Sequence, residues 1–366
     1  MTFRVVAALL VSGSLLFGLA AGAQTPAVPP GTPAPPDTAP QESFADEITV
    51  ALSTVVVRVV DTWGKPILGL SPRNFRARVG KTEIPVVAAD WYGTGEADEP
   101  DTPTAAPEAA AEAEAESVAL TAARPGRLVL VFVQADLNPS RISGQLRLRP
   151  YTEELLASLP ARDHIAVVSY DSHLKLRQDF TRDRQATHAA IDEGMLFGEA
   201  PTDLKPGEPS LARHFDFAAA KEAASPERGL ELTAEALSQV RGEKLLIFLG
   251  WGLGRFSGDG VHMTPAFYRA VRALGKAKAP VFVLDITSAD GHSLEAGLQS
   301  VAEATGGMYL STFRLPNLAT DVLAKAISGY YVITLDPGGL TGVAGRVTLE
   351  LRGKRGTILA RPAVVR

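Results

Sequence analysis

The 366-residue chain contains no cysteine. That excludes disulfides, thiol catalysis and the lipid anchor of a bacterial lipoprotein. An exported protein without cysteine is ordinary, because an oxidising compartment permits disulfides without requiring them. After the N-terminal segment no run is apolar for long enough to cross a bilayer, which takes about 20 residues. A basic excess is missing too. The formal net charge is −5, which argues against nucleic acid as a partner. The six histidines, at 164, 173, 188, 214, 262 and 292, are scattered with no pair at metal-ligand spacing. They read as surface or capping residues. There is no G-x-S-x-G elbow, and no glycine-rich phosphate loop follows the first apolar strand of the α/β region. Asp171 and Asp179 offer a carboxylate pair, but the stretch LKLRQDF between them reads as a solvated edge strand. The chain is therefore not read as an enzyme.

What is present begins with a secretory signal over 1–23. Arg4 is the positive residue, Val5 to Leu19 the apolar core, and Ala21-Gly22-Ala23 the cleavage site. An uncleaved anchor is the alternative reading. Segment 24–43 is rich in proline, alanine and threonine and reads as a disordered spacer. Segment 44–92 changes character: TVVVRVV, NFRARV and EIPVVAADW are short strands punctuated by turns, part of a β-sandwich. Segment 93–126 carries eight acidic side chains from Glu96 to Glu116 and reads as a solvated linker.

From Arg127 the pattern alternates buried apolar strands with helices. Strands are expected at RLVLVFV, HIAVVSY, LKLRQDF, KLLIFL, PVFVLD and GMYL. Helices are expected over 139–159, kinked or split at Pro150, and over 182–193, 211–224, 227–240, 264–278, 294–305 and 318–327. Segment 195–209 is an irregular insertion, and 250–263 a glycine-rich loop. This is an α/β fold with a doubly wound, mostly parallel six-stranded sheet over 127–328. Segment 329–366 returns to β signals, so the α/β domain is inserted in, or flanked by, a small β-sandwich built from both ends of the chain.

Several stretches resemble the VWFA-related family of acidobacterial type, that is, a von Willebrand factor A domain. They are VVDTWGKPILGLSPRNFRARVGKTEIPV, LPARDHIAVVSYDSHLKLRQDFTRD, KAPVFVLDI, LQSVAEATGGMYL and ISGYYVITLDP. The resemblance implies strand order 3-2-1-4-5-6, with ligands at the carboxyl ends of strands 1 and 4. It also implies a metal-ion-dependent adhesion site there: D-x-S-x-S after strand 1, a threonine before the mid-chain helix and an aspartate after strand 4. Mg²⁺ needs such oxygen ligands from separate loops. On this pattern Asp136, Asn138 and Ser140 supply the first motif, and Thr233 (or Glu231) the threonine. The aspartate position falls on Trp251, which has no ligand to give, so the site is degenerate. Asp285 is a possible substitute. The residues alone also read as a helix start, with Asn138 as N-cap and Pro139 at the first helical position.

The loop GWGLGRFSGDG sets Trp251, Arg255 and Phe256 among five glycines. Aromatics and arginine are enriched in interface hot spots. Two readings stand: the loop touches a partner directly, or Trp251 fills the vacated metal cavity. The expected function is an exported, non-catalytic module for protein or cell-envelope contact, periplasmic or extracellular and without cofactor. A Mg²⁺-dependent adhesion domain, an envelope hydrolase and a structural stalk are the alternatives.

Overall fold

A computed structural model of the chain describes residues 53–93, 126–336, 345–361 and, for the backbone, 363–365. The expected signal, the spacer and nearly all of the acidic linker lie outside the described residues. Among the described residues no helix is long and apolar enough to cross a membrane.

The centre is a six-stranded sheet. Its strands are β5 (Leu128–Gln134), β6 (His164–Tyr170), β7 (Leu174–Thr181), β8 (Lys244–Gly250), β11 (Val281–Asp285) and β12 (Tyr309–Ser311). Their spatial order is β12-β11-β8-β5-β6-β7, parallel except for β7, which runs antiparallel to β6. This is the order 3-2-1-4-5-6 implied by the resemblance. The strands are continuous apolar runs because both faces are covered. Leu128, Leu130, Phe132, Leu246 and Phe248 point into one core with α4 (Pro226–Gln239), α5 (Pro265–Ala277) and α6 (Glu295–Thr305). Val129, Val131, Val133, Ile247 and Leu249 point into the other, with α1 (Pro139–Ser158), α2 (Arg184–Met195) and α7 (Pro316–Ala326). Each such fully buried side chain contributes about 1.5–3 kcal/mol relative to exposure.

The terminal β segments interleave. One four-stranded sheet has the order β15-β1-β13-β4, from β1 (Ser53–Val60), β4 (Val86–Gly93), β13 (Gly329–Leu335) and β15 (Thr357–Ala360). The other has the order β16-β14-β2-β3, from β2 (Phe75–Val79), β3 (Thr82–Ile84), β14 (Gly345–Leu351) and β16 (Ala363–Val365). Residues of both sheets, including Val57, Phe75, Ala77, Ile84, Tyr331, Ile333 and Val347, form one apolar cluster. Tyr331 is fully buried within it. Its hydroxyl donates to Ile67 O at 2.9 Å and accepts from Leu70 N at 3.2 Å. A buried ionic joint ties β1 to the α/β region. Arg58 pairs with Glu243 at 3.3 Å and lies over the rings of Phe282 and Tyr330. Burial, opposed by Glu243, lowers the Arg58 guanidinium to about 10.

Four expectations are corrected. Helix α1 is not split at Pro150 but runs unbroken. Pro150 and Leu146 face solvent, where the carbonyl deprived of its donor can bind water. Strand β7 is an edge by pairing but not a solvated one, since most of its residues are buried. Segment 196–215 lies against it, held by Asp179, whose carboxylate accepts from Gly207 N (2.9 Å), Ser210 Oγ (2.5 Å) and Leu211 N (2.6 Å). Asp171 instead pairs with Lys175 at 2.6 Å, so the two aspartates form no carboxylate pair. The helix expected over 211–224 breaks into a 3-10 turn at Ala212–His214 and a short α3 (Phe217–Lys221). Asp216 restarts it by capping Ala219 N at 2.9 Å. Finally, the 250–263 loop holds a hairpin of β9 (Arg255–Ser257) and β10 (Gly260–His262).

Candidate functional site

The site lies where β5 and β8 end side by side. The last residue of β5, Gln134, is buried. Its amide crosses to the loop after β8: Nε2 donates to Gly252 O at 2.9 Å, and Oε1 accepts from Trp251 N at 3.0 Å and Gly252 N at 3.3 Å. Glycine is required for this approach. A Cβ at Gly250 would stand 2.8 Å from Gln134 Oε1, and one at Gly252 would stand 2.5 Å from Leu294 Cβ.

Five residues after Gln134 the chain starts α1. Asn138 is the N-cap, and its Oδ1 accepts from Ser140 N at 3.0 Å and Ser140 Oγ at 2.8 Å. Pro139 takes the first helical position. Asp136 Oδ1 accepts from Asn138 N at 2.6 Å, and its Oδ2 pairs with the guanidinium of Arg141. Asp136, Asn138 and Ser140 are thus together, but their oxygens are spent on one another, on the helix start and on Arg141.

Thr233 does not join them. Helix α4 starts at Pro226 behind its cap Ser225, and Glu227 in its first turn accepts from Gly254 N at 2.7 Å. Thr233 lies two turns further, about 10 Å along the axis. It is fully buried, and its hydroxyl has no partner among the described residues. Glu231 is turned to Arg228 (2.9 Å) and Arg269 (3.0 Å). Among the described residues no group of three or more His, Asp or Glu side chains is arranged to hold a metal ion. The residues at the expected adhesion site do not fit Mg²⁺: one carboxylate is already neutralised by Arg141, and the place of the second holds Trp251.

Trp251 is half-buried and packs against the apolar cluster that includes Val131, Leu249 and Ile286. Arg141 covers its ring, with the guanidinium carbon 3.2 Å from the centroid. The indole Nε1 is buried without an acceptor among the described residues. Arg255 and Phe256 lie apart from it on the β9–β10 hairpin, both exposed, Phe256 at 62%. The loop therefore divides. Trp251 turns inward under Arg141, while Arg255 and Phe256 face solvent. Leu137 is exposed beside Asp136, at 74%.

Asp285, one strand further out, offers no free ligand oxygen. Its Oδ2 accepts from Tyr309 Oη at 2.7 Å and is 2.8 Å from His292 Nε2, and its Oδ1 accepts from Thr287 N at 2.9 Å. Burial pushes this carboxyl up, but the hydrogen bonds from His292, Tyr309 and the Thr287 amide win and hold it below the usual aspartate value. Burial and then Asp285 push the Tyr309 hydroxyl far above its ordinary value. The arrangement pins the 286–294 loop, whose Thr287 Oγ1 reaches Trp251 O at 3.5 Å. No serine or threonine hydroxyl hydrogen-bonds to His292 among the described residues, so the pair lacks the nucleophile of a hydrolytic triad.

Sequence reasoning missed Gln134, Arg141 and the His292 pairing. An arginine three residues after the N-cap was the available signal for Arg141. Nothing local marks Gln134 or His292, whose partners come from distant loops.

No family model and no curated protein matches the sequence. Solved structures give loose likenesses. The BatB protein of Bacteroides thetaiotaomicron is 15% identical, covering 55% of this chain and 97% of that one, at TM-score 0.37. The PilB minor pilin of Streptococcus sanguinis is 14% identical, covering 56% and 62%, at 0.38. A von Willebrand factor type A protein of Catenulispora acidiphila is 10% identical, covering 86% and 73%, at 0.39.

Proposed function

We propose that the chain is an exported, non-catalytic binding module that contacts a protein or cell-envelope partner without a metal bridge. The contact is made through the loop end of a von Willebrand factor A-like domain with a degenerate adhesion site. The domain is carried on a β-sandwich made by segments 44–92 and 329–366. The observation that carries this reading is the column Asp136–Arg141–Trp251. A guanidinium neutralises the one carboxylate of the motif and lies on the indole that stands in the second carboxylate's place. A tethered cation thus takes over the charge balance that a divalent ion would supply. Leu137 beside Asp136, and Arg255 and Phe256 on the β9–β10 hairpin, are exposed and provide apolar and cationic surface of the kind that anchors interfaces. The absence of a nucleophile beside His292 speaks against the envelope hydrolase.

The test is binding of the purified mature chain to washed envelopes of its own cells. Binding that survives EDTA and falls at least tenfold in the Arg255→Ala, Phe256→Ala double variant supports the reading. Binding abolished by EDTA, or unchanged in the double variant, contradicts it.

A further inference from the structure

Beside this column lies a second arginine with the opposite character, a guanidinium whose carboxylate is missing. Arg147 projects from α1 toward the loops after β11 and β12. Its Nη1 donates to Ser288 Oγ at 3.1 Å, and its guanidinium carbon lies 5.4 Å from the centre of the Phe313 ring. Its Nε and Nη2 are shielded from solvent and have no acceptor among the described residues. No Asp or Glu of the described residues forms an ion pair with it, whereas its neighbours Arg141 and Arg149 each have one.

Nε and Nη2 together make one edge of the guanidinium, the edge that grips a carboxylate by two parallel hydrogen bonds. This chain uses that edge elsewhere. Arg149 holds Asp192 through Nε at 2.8 Å and Nη2 at 2.7 Å. Arg127 turns the same edge to Asp163, with Nε at 3.0 Å and Nη2 at 2.6 Å both donating to the single oxygen Oδ2. In Arg147 the same edge is buried and unfilled. Two shielded N–H donors without acceptors are unfavourable unless something else supplies them. The Phe313 ring offsets part of this through its quadrupole, but it satisfies neither N–H.

We propose that the Nε/Nη2 edge of Arg147 is a receptor for a carboxylate from outside the chain, an acidic side chain or C-terminus of a partner. Next to Phe313, whose ring faces the guanidinium, Arg314 and Leu315 are exposed, which sets the edge near the protein surface. Neither Arg141 nor Trp251 takes part, so this site stands or falls apart from the metal-free contact proposed above.

The test uses the mature chain and acetate as probe, exchanged for chloride at constant ionic strength, with thermal unfolding as the readout. Inorganic phosphate forms a parallel arm. Acetate is expected to raise Tm in the wild type. The effect is expected to weaken at least tenfold in apparent affinity in both Arg147→Met and Arg147→Lys, and to persist in Arg149→Met. In chloride alone Arg147→Met is expected to unfold at or above the wild-type Tm, because it removes no ion pair. An equal acetate response in Arg147→Met, or none in the wild type, overturns the proposal. A marked loss of Tm for Arg147→Met in chloride also overturns it, since that assigns the side chain a structural role. A phosphate response tenfold stronger than that to acetate overturns the assignment to a carboxylate.

Discussion

Arg141 lays its guanidinium on the Trp251 ring, 3.2 Å from the centroid, while Nη1 of the same group pairs with Asp136. Helix α1 and the loop after β8, joined here by residues 110 positions apart in the chain, meet in this contact. Such a cation–π contact is worth about 0.5–2 kcal/mol at a half-buried site. A double-mutant cycle of Arg141→Ala and Trp251→Ala, followed by urea unfolding, should return a coupling energy in that range. Additive single effects would mean that the two side chains merely pass each other.

Gln134 satisfies two backbone N–H groups and one carbonyl of the neighbouring loop. Gln134→Met keeps the length but leaves these groups buried and unmet. The expected loss is about 2–3 kcal/mol, read as a lower denaturation midpoint with unchanged m-value. A loss below about half a kcal/mol would show that the loop at Trp251 holds itself.

The Asp285 carboxyl is held below its ordinary value in the folded chain. Its contribution to stability is therefore full above the unfolded value, near pH 4. It is lost as pH falls from there through the depressed folded value. Asp285→Asn should lower stability at neutral pH and flatten the acid slope of the wild type. Chemical denaturation across the acidic range checks this. Parallel slopes for the two proteins would place the acid-labile group elsewhere.

Arg58 and Glu243 join β1 to the α/β region in a largely desolvated pair. Burial raises the Glu243 carboxyl and lowers the Arg58 guanidinium, each opposed by the other. Removing one partner leaves the other buried and unpaired. Arg58→Ala is expected to lower stability by about 3 kcal/mol. The double change Arg58→Met, Glu243→Leu should recover most of that. Failure of the double variant to recover would indicate that the pair carries more than its own desolvation.

Much of the α/β region was legible in the sequence, for a physical reason. RLVLVFV, HIAVVSY, KLLIFL and PVFVLD became β5, β6, β8 and β11 because strands covered on both faces must be apolar throughout. Asn138-Pro139 marked a helix start that the structure also has. Less legible was whatever depends on a distant partner. The LKLRQDF strand is polar enough to suggest solvent, but it is buried by an insertion that Asp179 folds over it. His292 looked solitary because Asp285 reaches it only in the folded chain. At the site, the sequence marked Trp251 as the break in a metal motif. The place of Arg141 three residues after the N-cap was a signal for its pairing with Asp136, but its stacking on Trp251 depends on how α1 meets the β8 loop.

The account turns on a guanidinium standing where a divalent cation would otherwise balance Asp136. The most direct measurement is thermal unfolding of the mature chain with and without Mg²⁺ or Mn²⁺ through the millimolar range. A specific ion at 100 times its dissociation constant adds about 2.7 kcal/mol to stability. The account predicts no specific shift in the wild type or in Asp136→Asn. A saturable Mg²⁺-dependent rise in Tm that disappears in Asp136→Asn would contradict it.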